Sequence, residues 1–541
     1  MADAANTTEV LVIGAGPVGL TLAVDLGRRG VRCTLIERKP APEFLPKMER
    51  CNARTMEIFR RMGLSERIRA SGLRADVPMD VYVVLAMNEP PLLRLPYPSV
   101  SESRARIAAC TDGSMPLEPY QLISQYTLEP LLKSIAESLP AVTVRYGCEF
   151  LELTQDASGV TAVVHDAGQP EAIRTAFVVG CDGGGSAVRK QLGIQLHGEG
   201  DLLRLFQALY VCPALFDMIP IGDGPGHGRH YHVADDKATF LIMQDSTRHW
   251  TLHATVERPE DMARQFERTI GVPVEYEMLY AGQWRQNLLL ADRYRDGRVF
   301  LAGDSAHLVI PTGGLGMNTG VGDAIDLSWK LQATLAGWAG PTLLDSYEIE
   351  RRQVGDRNVA ASRYASLGRR AWRSQYRPDI RDATPSGQAA RDRLAEVANV
   401  EQRKTNEMIG AELGYRYVGS PVIADEPDGP EHLFREYVAT TWPGSRLPHV
   451  WLTDGSALHD RIPDGYTLLR LGTTGANTSA LEGAMVATGA PFQTVTIDDA
   501  PPRDVYGYDF ILVRPDLHVV WRGNQPPDDA RALAALVTGR R

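Results

Sequence analysis

The sequence predicts an α/β protein in which a parallel, helix-flanked sheet is interrupted by an antiparallel sheet and followed by a smaller α/β domain. The first 37 residues alternate a short apolar run, a glycine-rich turn, a helical pattern and a second apolar run. From about Leu203 to Val256 the residues instead become β-branched and aromatic around short turn signals, which favours antiparallel strands. Strand-like runs return beyond Pro448.

The N-terminal unit is the most specific local pattern. Apolar residues predict strands at Val10–Ile13 and Val31–Glu37, with a helix over Leu20–Arg29 between them. A GxGxxG turn joins the first strand to the helix and comprises Gly14, Ala15, Gly16, Pro17, Val18 and Gly19. Such glycines permit a tight turn, close approach of a pyrophosphate, and close packing of helix on strand. The pattern therefore predicts a Rossmann-like dinucleotide site, with Glu37 accepting hydrogen bonds from the adenosine ribose.

Two later motifs have the same strand–turn–helix form. The apolar run Ala176–Val179 leads to Asp182, and Ser186 is a natural N-cap for a helix over 187–192. By itself such an Asp-Gly turn is common. A second run, Val299–Ala302, leads to Asp304 and to a glycine-rich loop, Pro311 to Asn318, ahead of a helix over Gly320–Leu335. We expect His307, between these segments, to be a structural residue that packs beside the strand end.

The remaining elements are predicted more coarsely. In the middle of the chain we expect strands at Thr239–Met243 and Trp250–Val256, and residues 345–415 have a charged, helical pattern. The segment Ala424–Gly429 is typical of a linker. The terminal domain is expected to contain strands at Tyr466–Leu471, Thr494–Ile497 and Phe510–Val513.

Composition excludes several classes of function. The net charge of −10 disfavours binding to nucleic acid and to anionic membranes. The six cysteines form no CxxC pair, so we expect neither a metal site nor a dithiol, and the scatter is typical of a reducing cytoplasm. No run of ~20 apolar residues predicts a membrane span, and the polar start of the chain does not resemble a signal peptide.

Taken together, the three motifs resemble the class A flavoprotein aromatic hydroxylases, the superfamily of para-hydroxybenzoate hydroxylase. The resemblance runs from Val10 to about Asn358 and includes three further segments, Asn52–Glu57, Ser124–Glu129 and Tyr347–Arg352. The terminal part is similar to the thioredoxin-like domain of the branch that contains phenol, chlorophenol, 2-hydroxybiphenyl and polyketide hydroxylases. Because it lacks CxxC, we expect it to be a packing or dimer element without redox activity.

The resemblance implies an FAD-dependent monooxygenase that hydroxylates a phenolic or related aromatic compound with NADH or NADPH and O2 through a C4a-hydroperoxyflavin. It implies adenosine contacts from Glu37 and Arg38, contacts along the FAD phosphates and ribityl chain from Arg54, Gln125, Asp182 and Asp304, and contacts around the flavin ring from Pro311, Gly316, Met317 and Asn318. We expect a cytoplasmic protein that can form a homodimer. We also expect the chain to divide into six segments. These are FAD-binding parts 1–80, 119–200 and 291–420 (the last with helices), substrate-domain parts 81–118 and 201–290, and the thioredoxin-like domain 440–541.

The group that activates the substrate is the least defined part of the prediction. Glu49 stands where the biphenyl and chlorophenol branch has a histidine. Either Glu49 acts, or the role lies in the inserted sheet, for which the candidates are Tyr210, His230, Tyr231, His232, His253 and Arg285. We put forward Glu49, Tyr210, His232 and Arg285 as catalytic residues, although for any one of these side chains packing is the more common role. Trp250 and Trp284 are expected in the core or the pocket wall.

Three other functions were weighed. A flavin-dependent halogenase would carry a Trp-x-Trp-x-Ile-Pro segment, and the sequence has none. An FAD-dependent reductase or oxidase without oxygen insertion shares the same motifs and stays open as the alternative. A flavin-binding interaction protein without turnover also stays open, because a fold does not determine a function.

Overall fold

A computed structural model describes residues 7–472 and 475–541. Residues 1–6, the start of the first predicted segment, lie outside the described residues, as do residues 473 and 474 of the terminal one.

The secondary structure elements are numbered along the chain. The strands are β1 (Thr7–Ile13), β2 (Cys33–Glu37), β3 (Arg50–Cys51), β4 (Val81–Val84), β5 (Leu93–Leu95), β6 (Gln121–Leu122), β7 (Val142–Tyr146), β8 (Cys148–Asp156), β9 (Gly159–Asp166), β10 (Gln169–Gly180), β11 (Leu196–Glu199), β12 (Arg204–Val211), β13 (His230–Val233), β14 (Phe240–Met243), β15 (His249–Ala254), β16 (Glu277–Arg285), β17 (Leu288–Ala291), β18 (Arg295–Asp296), β19 (Val299–Leu301), β20 (His307–Leu308), β21 (Tyr466–Leu471), β22 (Phe492–Ile497), β23 (Phe510–Val513) and β24 (Val519–Gly523). The helices are α1 (Pro17–Arg28), α2 (Ala53–Arg61), α3 (Ser65–Ser71), α4 (Val100–Ala108), α5 (Gln125–Glu137), α6 (Ala187–Gln191), α7 (Leu215–Met218), α8 (Asp261–Ile270), α9 (Gly316–Leu335), α10 (Pro341–Arg373), α11 (Pro385–Glu401), α12 (Arg403–Asn406), α13 (Ile409–Leu413), α14 (Leu458–Arg461), α15 (Ser479–Ala487), α16 (Ala500–Tyr506) and α17 (Ala530–Val537).

The largest sheet is parallel at its centre, in the order β19-β10-β1-β2-β7, as the N-terminal pattern predicts. Its central strand is fully buried at Val10, Leu11 and Val12, which explains the continuous apolar run, because both faces are covered by other elements. Ile13 pairs with Gly180, and Gly180 pairs with Leu301. The turns that follow these three strands therefore leave the same edge of the sheet.

The second sheet has the order β16-β12-β15-β14-β13-β4-β5 and is antiparallel except where β13 runs parallel to β4. The strands expected around residues 240 and 250 are its centre. One face packs on α8, where Trp250, Met262 and Phe266 are fully buried. Strand β4 belongs to this sheet although 145 residues separate Val84 from His230 in the sequence, so the sheet is assembled from separate parts of the chain.

The terminal unit is a mixed sheet, β22-β21-β23-β24, with helices α15 and α17 packed against it, which confirms the expected thioredoxin-like domain. Strands β21 and β23 have the predicted bounds, and β22 begins two residues earlier. Buried ion pairs join this unit to the rest of the chain. The Arg446 guanidinium donates two hydrogen bonds to Glu57 of α2, at 2.6 and 2.5 Å.

Several helices begin earlier than predicted. Helix α1 begins at Pro17 and not at Leu20, and α9 begins at Gly316 and not at Gly320. At α1, proline is favoured in the first helical turn because its missing N–H would have no helical partner there. At α9 the glycine-rich loop ends earlier than predicted, at Leu315. In the described part of the chain, no helix is both long and apolar enough to cross a bilayer.

Candidate functional site

A cavity of about 830 Å³ lies between the carboxyl edge of the parallel sheet and the second sheet. Of the predicted residues, it is lined by Gly14, Ala15, Gly16, Pro17, Val18, Glu37, Arg38, Glu49, Gln125, Asp182, His230, His253, Trp284, Asp304, Pro311, Gly316, Met317 and Asn318. Three motifs that are distant in sequence thus open into one space. The volume is in the upper part of the range of ligand pockets, ~300–1,000 Å³.

The glycine-rich turn forms the floor of one end. Gly14 has φ +107°, and a Cβ there would lie 2.4 Å from the carbonyl oxygen of Cys181. A Cβ at Gly19 would lie 2.0 Å from the carbonyl oxygen of Gly14, so helix and turn touch at that position. At Gly16 a Cβ would meet nothing within 4 Å. The turn is tight on its protein side and open on its cavity side, which fits a phosphate at the N-terminus of α1.

Glu37 closes the turn from the neighbouring strand. Its carboxylate accepts hydrogen bonds from the backbone N–H groups of Ala15 and Lys39, both at 3.0 Å. Gln125 begins α5 on the opposite wall and donates to Glu129 at 2.7 Å. Burial raises the pKa of the Glu129 carboxyl group. These residues give this end of the cavity a polar lining suited to a ribose.

Asp182 and Asp304 differ in their contacts. Asp182 accepts from Ser186 Oγ at 2.5 Å, from Ser305 Oγ at 3.1 Å and from two backbone N–H groups at the start of α6. It therefore caps α6 and joins two of the motifs, and Ser186 is the N-cap that the sequence predicts. The Asp304 side chain is exposed to the cavity. Desolvation by the surrounding protein raises the pKa of its carboxyl group.

The loop before α9 is fixed by Asn318. Its side-chain NH2 donates to the carbonyl oxygens of Gly314 and Arg50, at 2.7 and 3.1 Å, and its Oδ1 accepts from the N–H of Asn52 at 2.9 Å. The loop and the N-terminus of α9 consequently have a defined position against β3 and α2. Backbone N–H groups at such a helix start favour a negatively charged or polar ring edge.

His307 is a structural residue, as expected. It is fully buried, and its Nε2 lies 2.8 Å from Asp323 Oδ2. Asp323 also accepts from Arg351 Nε at 2.8 Å and from the N–H of Gly303 at 3.0 Å. Burial alone would raise the pKa of Asp323, but Arg351 and His307 lower it, so the carboxylate stays ionised. This buried group fixes the turn that presents Asp304.

The second sheet supplies the other end of the cavity, around Glu49. His230 Nε2 lies 2.9 Å from both oxygens of the Glu49 carboxylate, and Arg229 Nη2 lies 3.4 Å from one of them. Burial would raise the pKa of Glu49, but His230 and Arg229 lower it well below its usual range. Burial lowers the pKa of His230 to about 4, against the attraction of Glu49. At neutral pH the structure therefore holds a carboxylate anion beside an uncharged imidazole.

Aromatic side chains line the wall next to this pair. The His253 and Phe240 rings stack with centroids 4.4 Å apart, and Trp284 meets His253 edge-on at 5.7 Å. Trp284 is the pocket wall that the sequence analysis expected, whereas Trp250 lies in the core on the other face of the sheet. Within the described residues, Nδ1 of His253 and Nε1 of Trp284 are buried and have no hydrogen-bond partner.

Other predicted residues are not brought to the cavity. Arg54 donates to the Asp516 carbonyl oxygen of the terminal domain at 3.0 Å. Tyr210 is buried on the opposite face of the sheet, where its hydroxyl donates to a backbone carbonyl and its ring stacks on Phe266. Tyr231 lies on that face too, against Tyr82 and Trp250.

The other two candidates lie near the cavity without lining it. His232 points the same way as His230 but is covered by Trp372 and bonded to Gln402. Arg285 is 56% exposed, and its Nε lies 3.8 Å from Asp201 Oδ1, so it makes an exposed ion pair.

The cavity also contains residues that the sequence analysis did not single out: Gln207, Phe240, Gln244, Gln286 and Arg369. The first four belong to the second sheet or follow its strands, and a strand assignment alone does not tell which face its side chains occupy. Arg369 lies on α10, within a segment predicted only to be charged and helical. No local signal separates it from its neighbour Arg370.

Known proteins match this chain over nearly its whole length. Residues 7–362 match the family described as FAD binding domain, and residues 440–539 match the family described as aromatic-ring hydroxylase, C-terminal. The FAD-dependent monooxygenase apdD of Emericella nidulans is 31% identical, with 99% of this chain and 91% of the relative covered. Aklavinone 12-hydroxylase RdmE of Streptomyces purpurascens is 32% identical, with 97% of each chain covered.

Solved structures agree with these matches. RebC with bound 7-carboxy-K252c has a TM-score of 0.90 at 30% identity, with 99% of this chain and 100% of that chain covered. Aklavinone-11 hydroxylase in a ternary complex with FAD and aklavinone has a TM-score of 0.83 at 28% identity, with coverage of 99% and 100%. The open glycine cradle, the helix N-termini and the polar ribose end fit FAD. The chain therefore belongs to the flavoprotein aromatic hydroxylases, with an FAD-binding domain and the C-terminal domain of that family.

Proposed function

We propose that this enzyme hydroxylates a phenolic aromatic compound that binds under the second sheet, with NADH or NADPH as electron donor and O2 as the source of the inserted atom. The observation that carries the proposal is the continuity of one cavity from the glycine cradle at Gly14–Val18 to the Glu49–His230 pair. The names of relatives support it: they include aklavinone and polyketide hydroxylases and a 4-methyl-5-nitrocatechol monooxygenase.

FAD would be held by residues of this chain along the first part of the cavity. The N-terminus of α1, from Gly14 to Val18, would hold the phosphates, Glu37 and Arg38 the adenosine, and Gln125 and Asp304 the ribityl path. Pro311 and Gly316–Asn318 would surround the ring system. Bound FAD supplies the redox chemistry that passes electrons from the nicotinamide to O2. Arg54 has no part in this proposal, since it bonds the terminal domain.

Glu49 is the residue we assign to substrate activation. Its carboxylate lines the cavity and is kept ionised by the charge of Arg229 and by its hydrogen bond with His230. An anion held there accepts a hydrogen bond from the substrate hydroxyl, which increases electron density on the ring and favours electrophilic attack ortho or para to it. His230 positions Glu49 and does not itself need to carry charge. The reaction also needs water kept from the reacting atoms, a role we assign to the two sheets that bound the cavity.

Isotope incorporation tests the proposed reaction. Protein reconstituted with FAD would be supplied with NADH or NADPH, ¹⁸O2 and a panel of hydroxybenzoates, naphthols and hydroxyanthraquinones. The expected result is coenzyme oxidation that one phenol accelerates, with a single ¹⁸O atom in the product. Peroxide formed in equal amount to coenzyme consumed, with every phenol unchanged, would instead indicate a reductase or oxidase.

Two assignments concern the protein in the cell. We place it in the cytoplasm because all six cysteines are free and five of them are buried. We also propose that the chain forms a homodimer in which the terminal domain, besides packing on the FAD-binding part through Glu57 and Arg446, supplies the contact between subunits. Sedimentation velocity of the full chain tests the dimer, and a monomer at micromolar concentration contradicts it.

A further inference from the structure

An arginine without a counter-ion lies at the substrate end of the cavity. Arg369 of α10 lines the cavity, and its Cζ lies 4.9 Å from the centroid of the Phe240 ring. Within the described residues its guanidinium makes no hydrogen bond or ion pair, and its Nε is buried without a partner. A partly desolvated guanidinium normally has a carboxylate or carbonyl partner, because five N–H donors are costly to leave unpaired.

The charges around Arg369 do not supply that partner. Burial, and then repulsion by Arg373 and Arg229, lower the pKa of Arg369 to about 9, and the attraction of Glu49 opposes this only in part. Glu49 is already bonded to His230 and to Arg229. Arg373 donates to the backbone carbonyl oxygens of Val233 and Thr239, and the carboxylate that attracts it, Asp235, accepts from Gln265 and does not line the cavity. The substrate end of the cavity therefore carries an excess of positive charge.

Other groups around Arg369 are suited to an aromatic ring. Phe240 lies between the guanidinium and the stacked His253 ring, and Trp284 follows at 5.7 Å from His253. A flat ligand packed on this wall would place a substituent at its edge within reach of the guanidinium. Arginine pairs with an oxyanion in a planar, two-bond geometry.

We propose that Arg369 is the specificity-determining residue of the enzyme and that it binds an oxyanion, a carboxylate or an ionised phenol, on the edge of the aromatic substrate. This inference rests on the proposed function for the identity of the site as the substrate pocket. It assigns Glu49 and Arg369 different parts of one molecule: Glu49 accepts from a hydroxyl, and Arg369 donates to an anionic oxygen. An aromatic compound without an anionic group would leave the guanidinium unpaired and would bind more weakly.

Equilibrium binding tests this inference without any turnover. Hydroxybenzoic, hydroxynaphthoic and hydroxyanthraquinone carboxylic acids, their methyl esters and the corresponding phenols without a carboxyl group would be titrated into the FAD-loaded protein by calorimetry. We expect at least one acid or ionised phenol to bind the wild type ~10- to 100-fold more tightly than its neutral counterpart, since a hydrogen bond to a charged group is of that order. The preference for acid over ester identifies a carboxylate; equal binding of acid, ester and phenol, with a gain as the phenol ionises, identifies a phenolate.

Variants show whether Arg369 is responsible. In Arg369→Met the preference for the anion should fall to within about 3-fold of unity, and Arg369→Lys should retain part of it because the charge remains without the planar fork. Arg370→Met, an exposed neighbour on the same helix, is the matched control and should keep the preference. Circular dichroism and FAD content would establish that each variant is folded.

The inference is overturned if no compound in the panel binds better as an anion, or if Arg369→Met keeps the anion preference of the wild type. These outcomes are separate from the test of function. A protein that inserts no oxygen but shows an Arg369-dependent preference for anions would contradict the proposed reaction and leave this assignment intact.

Discussion

The buried pair between Glu57 and Arg446 should hold the terminal domain against the FAD-binding part. The two side chains are 2% and 0% exposed, and Glu57 also accepts from the N–H of Leu117 at 2.8 Å. Burial would raise the pKa of Glu57, but Arg446 lowers it from 4.5 to about 2. At ~1.4 kcal/mol for each pKa unit, this lowering of the Glu57 pKa corresponds to about 3 kcal/mol of stabilisation of its ionised form. Removal of one member of a buried pair typically costs ~3–5 kcal/mol, which agrees.

Glu57→Gln and Arg446→Met should therefore each lower the free energy for detaching the terminal domain by ~3–5 kcal/mol. The double variant Glu57→Met/Arg446→Met should lose much less than the sum, because no unpaired charge stays buried. Limited proteolysis of the full chain in increasing urea would measure the detachment, with FAD content as the control for the remaining fold. Single variants within ~0.5 kcal/mol of wild type, or a double variant that loses the full sum, would refute the reasoning.

The same pair gives a pH dependence with a defined sign. Because the folded-state pKa of Glu57 is lowered, its contribution is fully present above pH 4.5 and is lost as the pH falls toward about 2. Detachment of the terminal domain in wild type should become easier across that window. Glu57→Gln, which cannot ionise, should lose this component, and an unchanged acid profile in Glu57→Gln would show that another group is responsible.

Three further outcomes are expected. Gly14→Ala should prevent formation of the FAD cradle, since its Cβ would lie 2.4 Å from the Cys181 carbonyl oxygen. Gly16→Ala should fold and bind FAD more weakly, and equal FAD content in the two purified variants would contradict this expectation. Glu49→Gln should fold and retain FAD but lower kcat/KM ~10²- to 10⁴-fold. Glu277→Gln, which changes an exposed carboxylate of the second sheet, is the control, and unchanged kinetics in Glu49→Gln would remove Glu49 from the mechanism. Tyr210→Phe should lower the free energy of unfolding in urea by ~1 kcal/mol and leave turnover unchanged, because the Tyr210 hydroxyl donates to a backbone carbonyl away from the cavity. A loss of turnover at normal stability would restore Tyr210 as a catalytic candidate.

The parts of this structure that follow from sequence are those fixed by local chemistry. The spacing of Gly14, Gly16 and Gly19 is sufficient to predict the first turn, because this pattern of glycines permits a tight turn, close approach of a phosphate and close packing of the helix. The convergence of Asp182 and Asp304 was predictable through the resemblance and through the geometry of parallel strands. These are short-range rules, and they describe the FAD end of the cavity well.

The substrate end depends on long-range packing that the sequence does not show. His230 and His232 alternate to the same face of β13, yet one lines the cavity and the other is covered by Trp372, 140 residues later. Arg369 and Arg370 are adjacent in a helical pattern, and only the packing of α10 against the sheet separates them. Arg54 lies in one of the segments that resemble the family, but in the structure its guanidinium donates to the Asp516 carbonyl oxygen of the terminal domain.

The order of strands in the parallel sheet has a consequence for biosynthesis. Strand β1 lies beside β10 and, one strand further, β19, so the sheet that begins at Thr7 is completed only when Leu301 is made. At ~5–20 residues per second, roughly 15–60 s pass between the two events on the ribosome. Throughout that interval the nascent chain presents an apolar strand edge that has no partner. Chaperone demand during translation should therefore be concentrated in the part of the chain before Leu301. Strains with limited chaperone capacity should give a lower yield of this protein.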